Sequence, residues 1–192
     1  MKLIVCCATP WELKTVKWEI KKLNLKKSLD INYLCTGIGN YETIATLTNY
    51  LSTNSSDDSF LLNIWICWYK SKGNKTPPKV IQIWRIKNIH TNKEQLPPIP
   101  FILWEINSCY SSEIAILEAP QEEIDFQFFE MEARGIELCC NKFNIPHIFL
   151  KVPYDRIGEE TKNFNKEDAC NKLSSAIDFE KVITNILEYT TN

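Results

Sequence analysis

Hydrophobic positions recur along the chain with two different periods, and the period predicts which segments are strands and which are helices. The first apolar run, KLIVCC over residues 2–7, predicts a buried strand. Thr9-Pro10-Trp11-Glu12 follows at once and predicts a helix start, because Thr9 can cap the helix, proline suits its first position and Glu12 completes a capping box. Further strands are predicted at about 31–35, 60–67, 80–89, 101–106, 113–118 and 147–152, and further helices at about 37–51, 128–143 and 166–189.

Strands alternate with helices through both the first 67 and the last 65 residues. This order predicts an α/β fold of three layers, in which helices cover both faces of a twisted, mixed but mostly parallel sheet. The length favours a single domain over residues 1–192. Because ligands of such sheets bind at strand ends, the expected site walls are Glu12, the Gly37–Gly39 turn, the loop after Cys67 and Asp155.

Composition and charge argue against several classes of protein. The formal net charge is −2, so no global field attracts the chain to nucleic acid or to a membrane surface. No apolar run in the sequence is long enough to span a bilayer. The eight cysteines include no CxxC pair, and both histidines, His90 and His147, lie far from any cysteine cluster in sequence. We therefore expect reduced thiols in a cytoplasmic protein, with no metal site and no nucleic-acid or membrane partner.

Three carboxylates stand where predicted strands and helices meet. Glu12 lies in the first helical turn, Glu132 lies in the segment FFEMEARG, and Asp155 lies in VPYDRIG at the end of a predicted strand. Each position also has a structural explanation. Glu12 completes the capping box, Glu130 and Glu132 suit the positive end of a helix dipole, and Asp155 can cap a turn. From spacing alone, both explanations remain open for all three residues.

A resemblance to known proteins bears on these alternatives. The segment EMEARGIELCCNKFNIPHIFLKVPYDRIGEE, residues 130–160, resembles the C-terminal signature of the 5'-methylthioadenosine/S-adenosylhomocysteine nucleosidases and their phosphorylase relatives. In that family a helix start of this ME type is followed by an IPF-like strand with an aspartate at its end. Glu12, the GIG turn at 37–39 and LNIWICW, which resembles the family's N-x-G-x-A-G strand end, agree in order and spacing. The resemblance covers about residues 1–69 and 126–160.

The resemblance implies N-glycosidic chemistry on a purine nucleoside. It implies that Asp155 protonates the leaving base, that Glu12 activates water, and that Glu132 binds the ribose hydroxyls with Met131 packed on the ribose. The other substrate-binding residues that it implies are Phe129, Asn63 and Cys67. It implies no metal and no organic cofactor. It also implies a homodimer or a larger homo-oligomer.

The residue at position 63 and two departures from the family pattern bear on the alternatives to a hydrolase. This chain has Asn63 at a position where the nucleosidases also have asparagine and the phosphorylases of the superfamily have arginine. Hydrolysis is therefore favoured over phosphorolysis. The segment between about Lys70 and Phe126 is short for the family, so we expect a nucleoside phosphorylase-like fold shortened in the middle. Trp65 and Trp68 stand at glycine positions of the family. They are either core tryptophans of a divergent, catalytically inactive nucleoside-binding relative, or UGA codons that the source organism reads as glycine.

Overall fold

The structure, a computed structural model, describes residues 1–23, 25, 29–54, 57–73, 75–116, 118–120, 124–157 and 164–191. Its strands are β1 (Lys2–Cys7), β2 (Asp30–Cys35), β3 (Ser59–Ser71), β4 (Ile81–Asn88), β5 (Glu94–Gln95), β6 (Glu105–Ser111), β7 (Phe126–Glu130) and β8 (His147–Arg156). Its helices are α1 (Pro10–Lys22), α2 (Asn40–Thr53), α3 (Ala133–Phe143), α4 (Lys166–Ala176) and α5 (Phe179–Thr191). None of the described helices is both long and apolar enough to cross a membrane.

The strands pair in one mixed sheet, as predicted. β1 lies between β2 and β3 and runs parallel to both. β3 also pairs parallel with β8 and, at its far end, antiparallel with β7. Because β4 pairs with both β8 and β6, and β6 pairs with β7, these five strands close a circuit that returns to β3. The sheet is therefore a parallel ribbon, β2-β1-β3, joined to a small barrel.

Helices cover both faces of the sheet, which confirms the three predicted layers. Side chains on β1 alternate between the faces: Leu3 and Val5 belong to the core with α1, α4 and α5, whereas Ile4 and Cys6 belong to the core with α2 and α3. α1 and α3 thus lie on opposite faces. The chain enters α1 directly after β1, and it enters α3 directly after β7.

Four predicted elements were wrong in detail. The strand predicted at about 101–106 begins only at Glu105 and continues to Ser111 as β6. Residues 128–130 belong to β7 and not to a helix, because residues 126–130 are held between β3 and β6; the helix begins only at Ala133. The strand predicted at about 113–118 is not present among its described residues, and β6 ends at Ser111. The single C-terminal helix is two helices, because Asp178 breaks it and its side chain accepts a hydrogen bond from the Lys181 backbone N–H at 3.0 Å.

Candidate active site

A cavity of about 250 Å³ opens at the carboxyl ends of β1 and β7, beside the second half of β3, in the region where the sequence predicts a site. Apolar and acidic side chains from distant segments share its wall. The lining residues are Ala8, Thr9, Trp11, Glu12, Ile38, Trp65, Ile66, Cys67, Trp68, Glu130, Met131, Glu132 and Phe164. Phe164 forms part of the rim, where its ring contacts Trp11 with 5.7 Å between ring centroids.

Glu12 is held at the start of α1 by the predicted capping box. Its Oε2 accepts hydrogen bonds from the Thr9 backbone N–H at 3.0 Å and from the Thr9 hydroxyl at 2.6 Å. Its Oε1 lies 3.4 Å from the backbone nitrogen of Ile66 on β3, which donates to it. The side chain is 2% exposed, and this burial raises the pKa of Glu12 above the usual carboxyl value. Glu12 thus satisfies the helix end and still faces the cavity.

Glu132 occupies the N-cap position of α3 but does not cap the helix. Its Oε1 accepts a hydrogen bond from the Gly39 backbone N–H at 3.0 Å, across from the start of α2, and its Oε2 accepts one from the Met131 N–H at 3.3 Å. Burial raises the pKa of Glu132 well above its usual range, and the nearby charge of Glu130 raises it further. A carboxylate held by two backbone N–H groups retains acceptor capacity for a ligand.

Glu130 performs the capping role that Glu132 leaves open. Its Oε2 accepts hydrogen bonds from the backbone N–H groups of Glu132, at 2.8 Å, and of Ala133, at 2.5 Å. The other oxygen, Oε1, is buried and has no hydrogen-bond partner among the described residues. Glu130 also lines the cavity, and none of the described residues donates to this oxygen.

A buried lysine lies beneath the cavity and offsets part of its negative charge. Lys151 is fully buried on β8, and its ammonium donates to Glu130 Oε2 at 3.3 Å. The same ammonium lies 3.5 Å from the centroid of the Trp65 ring, which stands opposite Lys151 in the β3–β8 register. Lys151 lowers the pKa of the cavity thiol Cys67, but burial dominates and raises that pKa to about 12.

Four of the site residues that the resemblance implies line this cavity: Glu12, Glu132, Met131 and Cys67. Asn63, Phe129 and Asp155 are not among its described lining residues. Asn63 is fully buried, and its amide donates to the Cys6 backbone oxygen at 3.2 Å, which ties β3 to β1. Phe129 is fully buried against Tyr110 on β6, with 5.2 Å between ring centroids.

Asp155 lies near the end of β8, beside the cavity. The β3–β8 register places Pro153 opposite Cys67 of the cavity wall, two residues before Asp155. Its neighbour Tyr154 contacts Phe164 of the rim edge-on, with 5.7 Å between ring centroids. The structure therefore brings Asp155 close to the rim but not into the wall.

Two features of this site are not predicted from the sequence: the Glu130 oxygen without a partner among the described residues, and the buried Lys151. For Glu130 the sequence predicts only an interaction with the helix dipole. A lysine inside the apolar run IFLKVP was the signal for the second feature, because a fully buried ammonium requires a carboxylate partner. The aromatic rim residues Trp11 and Phe164 carried no such signal.

Comparisons with known proteins give a match at the level of structure only. No family model matches the chain, and a search of curated proteins finds no match. The chain is similar to a 5'-methylthioadenosine/S-adenosylhomocysteine nucleosidase (MTAN) from Campylobacter jejuni, with a TM-score of 0.68 and 12% identity over 98% of both chains. This chain therefore has the same fold as that nucleosidase. A Chlamydia trachomatis MTAN gives a TM-score of 0.67 and 21% identity, over 96% of this chain and 98% of that one.

The same fold occurs in a futalosine hydrolase. A mutant futalosine hydrolase from Helicobacter pylori matches with a TM-score of 0.70 and 11% identity, over 100% of this chain and 98% of that one. At these identities the likeness concerns the fold. The match extends over 98% of each of these three chains.

Proposed function

We propose that the protein hydrolyses the N-glycosidic bond of a purine nucleoside of the methylthioadenosine or adenosylhomocysteine type. The observation that carries this proposal is the convergence of Glu12 and Glu132, from helices on opposite faces of the sheet, on one cavity at the strand ends. Solved structures of the same fold support the choice of ligand. One C. trachomatis MTAN structure holds MTA and another holds adenine.

The sugar is proposed to bind at Glu132. Its carboxylate is fixed by two backbone N–H groups, and its remaining acceptor capacity suits a pair of neighbouring hydroxyl donors. Met131 lies in the same wall and offers an apolar surface to the ribose ring. Glu12 and Glu130 lie in the same wall, so the acidic side of the cavity fits a polyhydroxylated ligand better than an anion.

Glu12 is proposed to activate the attacking water. In its ionised form the carboxylate takes a proton as the water oxygen bonds to the anomeric carbon, and the bond from that carbon to the base breaks with its electron pair going to the base. Burial favours this proton uptake, because it raises the pKa of Glu12 towards the working pH. The transition state resembles an oxocarbenium ion, which the surrounding carboxylates stabilise.

Asp155 is proposed to protonate the leaving base. Asp155 comes two residues after Pro153, which lies opposite Cys67 of the cavity wall. This position supports a purine that extends from the sugar site towards Tyr154 and Phe164. The rim rings Trp11 and Phe164 would then contact the purine. A carboxylic acid at that end supplies the proton that makes the base a better leaving group.

Water is favoured over phosphate as the nucleophile. A phosphate site needs cationic donors, and the described lining residues include no lysine or arginine. Lys151 lies beneath the wall, fully buried and engaged by Glu130. Asn63 stands at the position where phosphorylases have arginine, and its amide donates a hydrogen bond to the backbone of β1.

We also propose that the protein is cytoplasmic and associates with further copies of itself. Ile38, Tyr41 and Ile114 are 59%, 75% and 65% exposed, and Ile38 lies on the rim of the cavity. Asn40, between Ile38 and Tyr41, is hydrogen-bonded to Ser112 and places these side chains on one side of the molecule. Large apolar side chains exposed together fit a contact with a second copy of the chain.

A second candidate, an inactive nucleoside-binding relative, is favoured by the two tryptophans. Trp65 and Trp68 line the cavity, whose volume of about 250 Å³ lies below the roughly 300–1,000 Å³ of ordinary ligand pockets. The Trp65→Gly, Trp68→Gly double variant should enlarge the cavity and bind nucleoside more tightly. Mass spectrometry of the naturally produced protein decides whether it contains tryptophan or glycine at 65 and 68.

The test is release of free base from 5'-methylthioadenosine, with the protein and with the double glycine variant, in buffer with and without phosphate. The proposal expects free base and free sugar at a rate that phosphate barely changes. Strict dependence on phosphate, with a sugar 1-phosphate as co-product, would identify a phosphorylase. No release from either protein, with nucleoside bound, would identify the inactive relative.

A further inference from the structure

One buried amide connects the starts of two helices beside the cavity. Asn40 is the first residue of α2 and is 1% exposed. Its Nδ2 donates to Ser111 Oγ at 3.1 Å and to the Ser112 backbone oxygen at 3.2 Å. Its Oδ1 accepts a hydrogen bond from the Gly135 backbone N–H at 2.7 Å. The side chain thus joins α2 to β6 and to the first turn of α3.

The bond to Gly135 supplies a cap for α3 from outside that helix. The first N–H groups of an α-helix have no partner within the helix. Here Glu130 accepts from those of Glu132 and Ala133, and Asn40 accepts from that of Gly135. The N-cap residue itself, Glu132, forms no side-chain capping bond. Because these two residues cap the helix, the Glu132 carboxylate is available to the cavity.

The same contact fixes the distance between Glu132 and its partner Gly39. A Cβ added to Gly135 would lie 2.7 Å from the backbone oxygen of Asn40, so the two helix starts are in backbone contact that only glycine allows. Gly39 precedes Asn40 in the chain, and its N–H holds Glu132 Oε1. Displacing Asn40 from Gly135 therefore moves the Gly39 N–H away from Glu132.

We infer that Asn40 is a positioning residue for Glu132: by docking the start of α2 on the start of α3, it aims the sugar-binding carboxylate. The inference rests on the proposed function for its binding test and on the structure alone for its spectroscopic test. It makes Asn40 a determinant of sugar recognition and leaves recognition of the base unaffected.

The binding test compares the affinities for 5'-methylthioadenosine and for adenine by titration calorimetry. Asn40→Ala is expected to raise the Kd of the nucleoside about tenfold, which corresponds to the loss of one hydrogen bond to a charged group. The Kd of adenine is expected to stay within about twofold of the wild-type value. Gly135→Ala, which keeps every hydrogen-bonding side chain but separates the helices, is expected to give the same pattern. Equal losses for both ligands, or no loss in either folded variant, would overturn the inference.

Thr43→Val is the matched control. Thr43 is fully buried in α2, one turn after Asn40, and its hydroxyl has no hydrogen-bond partner among the described residues. This variant removes a polar atom from the same helix without touching the docking contact. Both affinities are expected to stay unchanged, which separates positioning of Glu132 from a general effect on α2.

The spectroscopic test needs no ligand. The amide proton of Gly39 is hydrogen-bonded to Glu132, and its chemical shift in the free protein is expected to move upfield in Asn40→Ala and Gly135→Ala but not in Thr43→Val. An unmoved Gly39 signal overturns the inference whatever the binding data show. If the Gly39 signal moves in these variants but the wild-type protein binds no nucleoside, the proposed function is refuted and the positioning role of Asn40 remains.

Discussion

Two buried acidic clusters lie along α3, one at its start and one at its centre. At the centre, Glu137 is 1% exposed and both of its oxygens are engaged: Asn141 Nδ2 donates to one at 2.8 Å, and His147 Nε2 lies 2.6 Å from the other. The second ring nitrogen of His147 lies 2.8 Å from the Ile145 backbone oxygen. At the start, Glu130 Oε1 has no partner among the described residues.

The difference separates a structural use of buried charge from a functional one. Burial is equally deep in the two clusters, so burial alone does not distinguish them. Both oxygens of Glu137 are hydrogen-bonded to side chains of the protein, and the cluster joins α3 to β8. The cavity cluster of Glu12, Glu130 and Glu132 contains one oxygen without a partner among the described residues, Glu130 Oε1, and its carboxylates line an open space. Unfilled acceptors beside a cavity point to a ligand, and filled ones point to stability.

The largest expected effect is on catalysis at the cavity cluster. Glu12→Gln keeps the shape and one acceptor oxygen of the side chain but cannot take a proton from water. We expect kcat for base release to fall about 10²–10⁴-fold, with the nucleoside still bound. Initial rates and calorimetric binding measure the two quantities. A fall of less than about tenfold would contradict the role of Glu12 as the base.

The next effect concerns stability at the Glu137 cluster. Glu137→Ala removes the partner of a buried histidine, and we expect the free energy of unfolding to fall by about 3 kcal/mol. Urea denaturation measures it. At a temperature where the variant is fully folded, kcat and KM for base release should match the wild type. A specific loss of turnover in the folded variant would break the comparison, because it would give this cluster a functional role.

Glu132→Gln is expected to have an intermediate effect and to act on binding. Above its raised pKa the Glu132 carboxylate presents two acceptor oxygens where the amide presents one, so at such a pH the Kd of the nucleoside should rise about tenfold. Adenine, which lacks the sugar, should bind with unchanged affinity. Competition between nucleoside and adenine in one titration checks both expectations. A parallel loss for both ligands would argue that Glu132 supports the fold of the cavity and not the sugar.

The smallest effect is a pH dependence of stability. Burial raises the pKa of Glu132 in the folded state, so the folded protein binds more protons than the unfolded chain between the usual carboxyl pKa of 4.5 and the raised pKa. Stability contributed by this group therefore falls as pH rises through that window. Glu132→Gln removes the dependence, so its stability relative to wild type should increase steadily from pH 5 to pH 8. A flat or opposite difference in urea titrations would contradict the assigned burial effect.

How far the sequence predicts this site depends on whether the contacts are local. Glu12 could be placed because its capping box spans only four residues, from Thr9 to Glu12. The helix predicted from residue 128 was wrong because pairing of β7 with β3 and β6 overrides the local pattern. The pairing of Lys151 with Glu130 joins positions 21 residues apart, and no spacing rule predicts it. Asn63 and Phe129 have residue types that fit a ligand site, but only the packing shows that they face the interior.

The most direct test of the central claim is a crystal structure of the Glu12→Gln protein soaked with 5'-methylthioadenosine, which this variant should bind without cleaving. We expect the nucleoside in the cavity at the carboxyl end of β1, beside β3, with its ribose hydroxyls within hydrogen-bond distance of Glu132 and its base directed towards Asp155. A nucleoside bound elsewhere, or in this cavity with the ribose away from Glu132, would contradict the account.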